Sequence, residues 1–382
     1  MHYTEEKDVC PHISMWSGRR RITQMRKREK RYGRLYHISA VLGVLVVVSG
    51  LIAIILVIWN WQRTQTETIQ ALNQTIDIMY SEEEMQTMLA GAVEETRTQT
   101  ETETKEALLS DIREQLSGGK SAVSVLRPLY PDELVVVSNG TYNFVPIRDD
   151  LAKHSLTADN LVVSEEGELT YQEDGNIVSH KGIDVSKYQG DIDWKKVSAD
   201  GVEYAFIRAG VRGYKTGEIA PDETFEKNVK GAYQAGVKVG VYFFSQAISV
   251  KEAIEEAEFV LEQIEPYSYM VEYPIVFDVE KVSAESGRMN KLTREERTQV
   301  TLAFCERIEE AGFTPVIYGN LEMFGVLMDL EPLEKYEKWY AYYDPSLYYP
   351  YDFKVWQYTA EGSVDGIKGN VDLNISFKTW GE

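Results

Sequence analysis

Asp278 and Glu280 stand two residues apart at the end of the run Pro274-Ile275-Val276-Phe277-Asp278-Val279-Glu280. A run of β-branched and aromatic residues without polar alternation is the pattern of a strand covered on both faces. Side chains alternate along a strand, so the two carboxylates share a face, with Cα atoms about 6.6 Å apart. Two acids at the carboxyl end of an interior parallel strand can divide the work of cleaving a glycosidic bond. One donates a proton to the leaving oxygen and the other stabilises charge at the anomeric carbon. The spacing alone is not selective, because the 382-residue chain holds 61 Asp and Glu and roughly ten acid-x-acid pairs are expected by chance. The apolar strand ahead of the pair carries the information.

Around this strand, strand and helix patterns alternate from Gly182 onward. Strand signals fall at Gly182–Ser186, Tyr204–Ala209, Val237–Phe244, Thr314–Tyr318, Trp339–Tyr343, Phe353–Tyr358 and Val371–Ile375. Helical signals fall near Trp194, at Phe225–Ala232, at Val250–Ile264 and at Leu292–Ala311, with Gly312 placed as a helix-ending residue. This predicts an α/β fold, an irregular (β/α) TIM-like barrel of about five β/α units followed by three strands, over residues 181–382.

The run Gly182-Ile183-Asp184-Val185-Ser186-Lys187-Tyr188-Gln189-Gly190, with Asp193-Trp194 and Phe206-Ile207-Arg208-Ala209-Gly210, resembles the opening of glycoside hydrolase family 25. These are the Chalaropsis-type lysozymes, or N-acetylmuramidases. The likeness continues through Gly240-Val241-Tyr242, Phe277-Asp278-Val279-Glu280, Val316-Ile317-Tyr318, Val355-Trp356-Gln357-Tyr358 and Gly369-Asn370-Val371-Asp372-Leu373-Asn374. It covers about the last 200 residues, in order. The resemblance implies hydrolysis, without a metal or other cofactor, of the β-1,4 bond between N-acetylmuramic acid and N-acetylglucosamine, with peptidoglycan glycan strands as partner. It implies Glu280 as general acid and Asp278 as the group assisting at the anomeric centre, as nucleophile or by orienting the substrate's acetamido group. Asp184 and Asp372 are implied as two further acids ringing the pocket. Tyr188 departs from the Trp or His common at its position, and Phe243-Phe244 follows Tyr242 where a more polar pair is usual.

Each acid has a plainer alternative: Asp184 and Asp372 as turn residues, and Asp278 or Glu280 in a structural ion pair with Arg208. Sugars stack on flat rings, which makes Tyr242, Tyr318, Tyr340 and Trp356 candidate substrate-binding residues at strand ends, together with Gln357 and Arg208. Tyr342, Tyr343, Tyr348, Tyr349 and Tyr351 fit a rim or packing role better. All five His lie before Lys181, so neither a zinc site nor a Ser-His pair forms within the barrel, and no Gly-rich segment carries a phosphate-loop Lys.

The rest of the chain places the barrel. Residues 1–37 form a basic segment with ten Lys/Arg against four acids, whereas the remainder carries 30 basic and 57 acidic residues, a poor surface for nucleic acid. Residues 38–59 hold no charge. As a helix they span about 33 Å, enough for a bilayer, with Trp59 and Trp61 at the interface. The basic flank predicts a single-pass plasma-membrane anchor, amino terminus cytoplasmic and barrel outside, in a Gram-positive bacterium; a cleaved signal peptide is the rival. Residues 60–120 suggest a stalk of two helical pieces, around Ile69–Met79 and Leu108–Leu116, joined by a polar segment. It is compatible with weak self-association as a coiled coil or with a plain spacer. Residues 121–180 show short strand signals and no chemistry. Cys10 and Cys305 fall on opposite sides of the anchor, and Cys305 suits a core position. The expected protein is a membrane-tethered cell-wall lysozyme; the alternative is a catalytically silent wall-binding or scaffold protein.

Overall fold

The computed structural model describes residues 81–381, apart from residue 285. Segments 1–37 and 38–59 and the first helical piece of the stalk lie outside them. The chain divides into two compact units, Met1–Asp132 and Glu133–Glu382.

In the first unit the described residues form helix α1 (Glu82–Ser117) and the short helix α2 (Ala122–Leu126). The polar run Thr96–Thr104, expected to interrupt the stalk, lies inside α1. Ser81 and Glu84 cap its start reciprocally. The hydroxyls of Thr96, Thr98, Thr100 and Thr102 donate to carbonyls four residues back, and Arg97–Glu101 and Gln99–Glu103 bridge successive turns at 2.9 and 2.7 Å. Local pairing thus supplies what an apolar stripe would otherwise give. No residue of α1 is buried, and no helix among the described residues is long and apolar enough to cross a membrane.

The second unit opens with the hairpin β1 (Glu133–Ser138) and β2 (Thr141–Pro146). Its turn, Asn139-Gly140, has positive φ at both positions, 50° and 74°, the backbone that matches a hairpin's twist. A three-stranded sheet follows: β3 (Leu161–Val163), β4 (Leu169–Glu173) and β5 (Asn176–Ile177).

The barrel then runs β6 (His180–Val185), α3 (Trp194–Ala199), β7 (Tyr204–Arg212), β8 (Ile219–Pro221), α4 (Phe225–Gln234), β9 (Lys238–Ser245), α5 (Val250–Ile264), β10 (Val271–Val279), α6 (Arg294–Glu310), β11 (Pro315–Asn320), β12 (Glu337–Ala341), β13 (Val355–Gly362) and β14 (Val371–Ser376). The sheet order is β6-β14-β13-β12-β11-β10-β9-β7, closed by pairing of β6 with β7, with β8 appended to β7. Neighbours are parallel from β6 through β13, apart from the appended β8, which is antiparallel to β7, whereas β14 is antiparallel to both β13 and β6. The irregularity expected of the last third takes this form: no helix separates β12, β13 and β14, and the short link between β13 and β14 joins them as an antiparallel pair. The fifth unit also differs from expectation: β11 is followed by a π-helical turn, Met323–Leu327.

Alternation along the strands separates two cores. Tyr204, Phe206, Tyr242, Tyr273, Val276, Val316, Tyr318, Trp339, Ala341 and Val355 fill the barrel with Trp380. Their sequence neighbours, among them Ala205, Val241, Phe277, Ile317, Tyr340 and Trp356, pack outward against helices and loops. Rings fit inside because glycines face them. A Cβ on Gly182 would meet the Tyr204 ring at 2.1 Å, and one on Gly240 the Phe206 ring at 2.4 Å.

Candidate active site

The four acids come from three strands. Asp278 is the last inward-facing residue of β10, opposite Phe244 on β9 and Tyr318 on β11. Glu280 follows the strand's end. Asp184 on β6 is the register partner of Asp372 on β14. Positions 188 residues apart thus become neighbours because β14 closes the barrel beside β6.

Asp184 is fixed by an amide network. Gln357 Nε2 and Asn374 Nδ2 each donate to its Oδ2 at 2.9 Å. The Gln357 carbonyl oxygen accepts from the hydroxyls of Tyr318 (2.8 Å) and Tyr343 (2.9 Å), and the Asn374 carbonyl oxygen accepts from Trp339 Nε1 (2.8 Å). The indole N–H of Trp339 can only donate, so it fixes the Asn374 amide with its N–H group toward Asp184, and the Gln357 amide is placed the same way. Trp339 stands below, with Phe206 stacked on it at 4.5 Å and Tyr318 edge-on at 4.7 Å.

Electrostatics in this pocket oppose ionisation. Burial, then the charge of Asp372, pushes Asp184 well above the ordinary carboxylate range. Burial raises Asp372 as well; the hydrogen bond between the two adds to the rise of Asp184 and opposes that of Asp372, which places the shared proton on Asp184. Burial and the charges of Glu280 and Asp184 raise Asp278 strongly, with Arg208 opposing. Burial and Asp372 raise Glu280 to about 7. Four carboxyls sharing one low-dielectric site cannot all ionise, which is the condition for a carboxylic acid to keep its proton near neutrality. Asp278 Oδ1 is buried without a hydrogen-bond partner, an acceptor whose missing donor is costly unless a ligand supplies it.

Arg208 pairs with neither Asp278 nor Glu280. Its guanidinium reaches Asp222, which follows β8, at 2.7 and 2.8 Å, and lies 5.1 Å from the ring centre of Tyr188. Burial opposes ionisation of Asp222, but hydrogen bonds from Thr224, the Lys187 amide and Arg208 outweigh it and keep Asp222 below its ordinary value. The structural ion pair is thus Arg208–Asp222, and the guanidinium still lends positive charge to Asp278.

Tyr242 and Tyr318 face the acids from β9 and β11, and Gln357 does so from β13. Tyr340 and Trp356 do not. Trp339 and Gln357 point inward, so alternation turns their neighbours outward. Tyr340 is stacked on Tyr342 and Tyr349 beyond the sheet, and Trp356 Nε1 donates to the Tyr342 carbonyl. Neither can touch a substrate at the acid pocket. Conversely Tyr343, expected only at the rim, is hydrogen-bonded into the Asp184 network, and Asn374 and Asp222 were not singled out. Asn374 could have been found by alternation from Asp372; nothing in the sequence pairs Asp222 with Arg208. Tyr188, whose ring lies beside Arg208, is 77% exposed, a flat surface at the mouth. Among the described residues no group of three or more His, Cys, Asp or Glu is arranged to hold a metal ion.

Residues 183–367 match the family model Glycosyl hydrolases family 25. The chain is similar to YegX of Escherichia coli K12, 29% identical over 204 residues, or 51% of this chain and 68% of that one. It is similar to lysozyme M1 of Streptomyces globisporus, 27% identical over 203 residues, 51% of this chain and 66% of that one. The solved structure of the modular autolysin LytC from Streptococcus pneumoniae aligns at 22% identity with a TM-score of 0.45, over 63% of this chain and 57% of that one. The chain therefore spans 57% to 68% of the length of these relatives. The family match and the lysozyme relative support a glycoside hydrolase.

Proposed function

We propose that this chain, which carries a glycosyl hydrolase family 25 domain over residues 183–367, is a membrane-tethered N-acetylmuramidase of the cell wall. The observation that carries this reading is the placement of Glu280, whose carboxyl is pushed up to about 7 by burial and by Asp372, beside Asp278, whose buried Oδ1 lacks a donor. Glu280 donates its proton to the glycosidic oxygen as the bond to the muramic acid breaks, and then draws a proton from the attacking water. Asp278 stabilises the charge at the anomeric carbon. A substrate acetamido N–H would supply the donor that its Oδ1 lacks and would favour the ionised carboxylate. Asp184 and Asp372, sharing one proton, keep the electrostatic pressure on Glu280 while committing a single net charge. Tyr242, Tyr318 and Gln357 shape the pocket, and Arg208 tempers the charge on Asp278.

The tether rests on the sequence. The uncharged residues 38–59 follow a basic arm, and α1, 36 residues long, amounts to a spacer of about 54 Å. Such a protein acts on wall near its own membrane. The test is to incubate the full-length chain, purified in mild detergent, with peptidoglycan and to identify new reducing ends by mass spectrometry. Muramic-acid ends are expected from the parent and none from Glu280→Gln. Wall binding without any new ends would contradict the proposal.

A further inference from the structure

Glu280 lies past the last residue of β10, so no ladder of strand hydrogen bonds fixes it. Its surroundings hold it instead. The Glu280 carbonyl accepts from Gln246 Nε2 at 3.3 Å. Two residues on, Asn290 holds both the amide and the carbonyl of Val282, at 3.2 and 2.8 Å. Between them Lys281 Nζ reaches Glu322, at the exit of β11, at 2.8 Å, and Asn139 Oδ1, at the tip of the β1–β2 hairpin, at 2.7 Å. The hairpin is a firm anchor. Leu134 and Val136 are buried in the outer core, the Val135 amide donates to the Tyr348 hydroxyl at 2.6 Å, and the Asn139-Gly140 turn has the backbone of a tight two-residue connection. The hairpin also lies outside the segment that matches the family model.

We propose that the hairpin is part of the active site: through Asn139 and Lys281 it fixes the segment that carries Glu280, and these two are positioning residues for proton donation. The inference rests on the muramidase reading for its kinetic consequence. The Lys281 ammonium is already engaged by Glu322 and Asn139, so its contribution is geometric, and a small misplacement of a proton donor is costly in the rate of the chemical step.

The test uses the full-length chain and the variants Lys281→Met, Lys281→Arg and Asn139→Ala. Lys281→Met is expected to lower kcat about tenfold with KM within about twofold of the parent, and Asn139→Ala to lower it several-fold. Lys281→Arg should restore most of the rate, and combining Lys281→Met with Asn139→Ala should add little to the first change alone. A loss lying wholly in KM, or no loss, would overturn the proposal. Hydrogen exchange of residues 279–283, read by mass spectrometry, gives an answer independent of turnover. Faster exchange in Lys281→Met with an unchanged melting temperature supports the clamp, and unchanged exchange refutes it. If the parent releases no muramic-acid ends, the functional reading fails while the exchange experiment still decides whether the clamp exists.

Discussion

Glu280 keeps a proton near neutrality because burial and the charge of Asp372 both oppose its ionisation. Replacing Asp372 with Asn removes that charge, so the Glu280 pKa should fall, and the alkaline limb of the rate should move to lower pH. A limb that stays in place would show that burial alone sets the value. Arg208 and Asp222 make a second residue-scale case. Asp222 has a fully buried side chain and Arg208 a nearly buried one, so Asp222→Asn leaves a buried guanidinium without its counter-charge. A loss of about 3 kcal/mol is expected, measured by denaturant unfolding; a loss under about 1 kcal/mol would mean that water reaches the pair. Asp278 and Glu280 were legible in the sequence because an apolar strand run precedes them, whereas Asp184 and Asp372 were reached only through the family resemblance. The Arg208–Asp222 pair was not legible, since it depends on the β7–β8 hairpin, which periodicity did not reveal.

At the scale of elements, strand alternation decides which aromatic rings can meet a substrate. Tyr340 and Trp356 were plausible platforms from position alone, yet one residue of register separates them from Trp339 and Gln357, which face the barrel interior. Tyr340→Ala should therefore lower stability by roughly 3 kcal/mol or more, as for a large ring removed from a packed core, with kcat/KM of the remaining folded protein close to the parent. Tyr188→Ala should show the reverse, with unchanged melting and a raised KM, because its ring is exposed at the mouth. Equal effects of the two on KM would contradict this division. The eight strands were legible from runs of β-branched residues, and α1 was only partly so. Its continuity rests on capping and on side-chain pairs four residues apart, which a search for apolar stripes does not detect. The antiparallel β14 was not legible either, because direction depends on the length and path of a connection rather than on the strand's own pattern.

For the molecule as a whole, the carboxyl cluster couples stability to pH. A carboxyl whose folded pKa is raised favours the protonated native state. Its contribution is fully present below the unfolded value near 4.5 and is lost as pH rises through about 7. For Glu280 that difference amounts to roughly 3 kcal/mol, so Glu280→Gln should gain stability relative to the parent between pH 5 and pH 8. Parallel pH profiles of the two proteins would refute the coupling. The same cluster should set the working range of the enzyme, since proton donation requires Glu280 protonated and assistance requires Asp278 ionised. The measurement that bears most directly on this account is the pH dependence of muramic-acid end release by the full-length chain, with Glu280→Gln beside it. An alkaline limb near pH 7 in the parent and a loss of at least about a thousandfold in the variant is the expected result. A rate independent of pH between 5 and 8, or a variant that retains a substantial share of the parent's rate, would contradict the assignment of Glu280 as the proton donor.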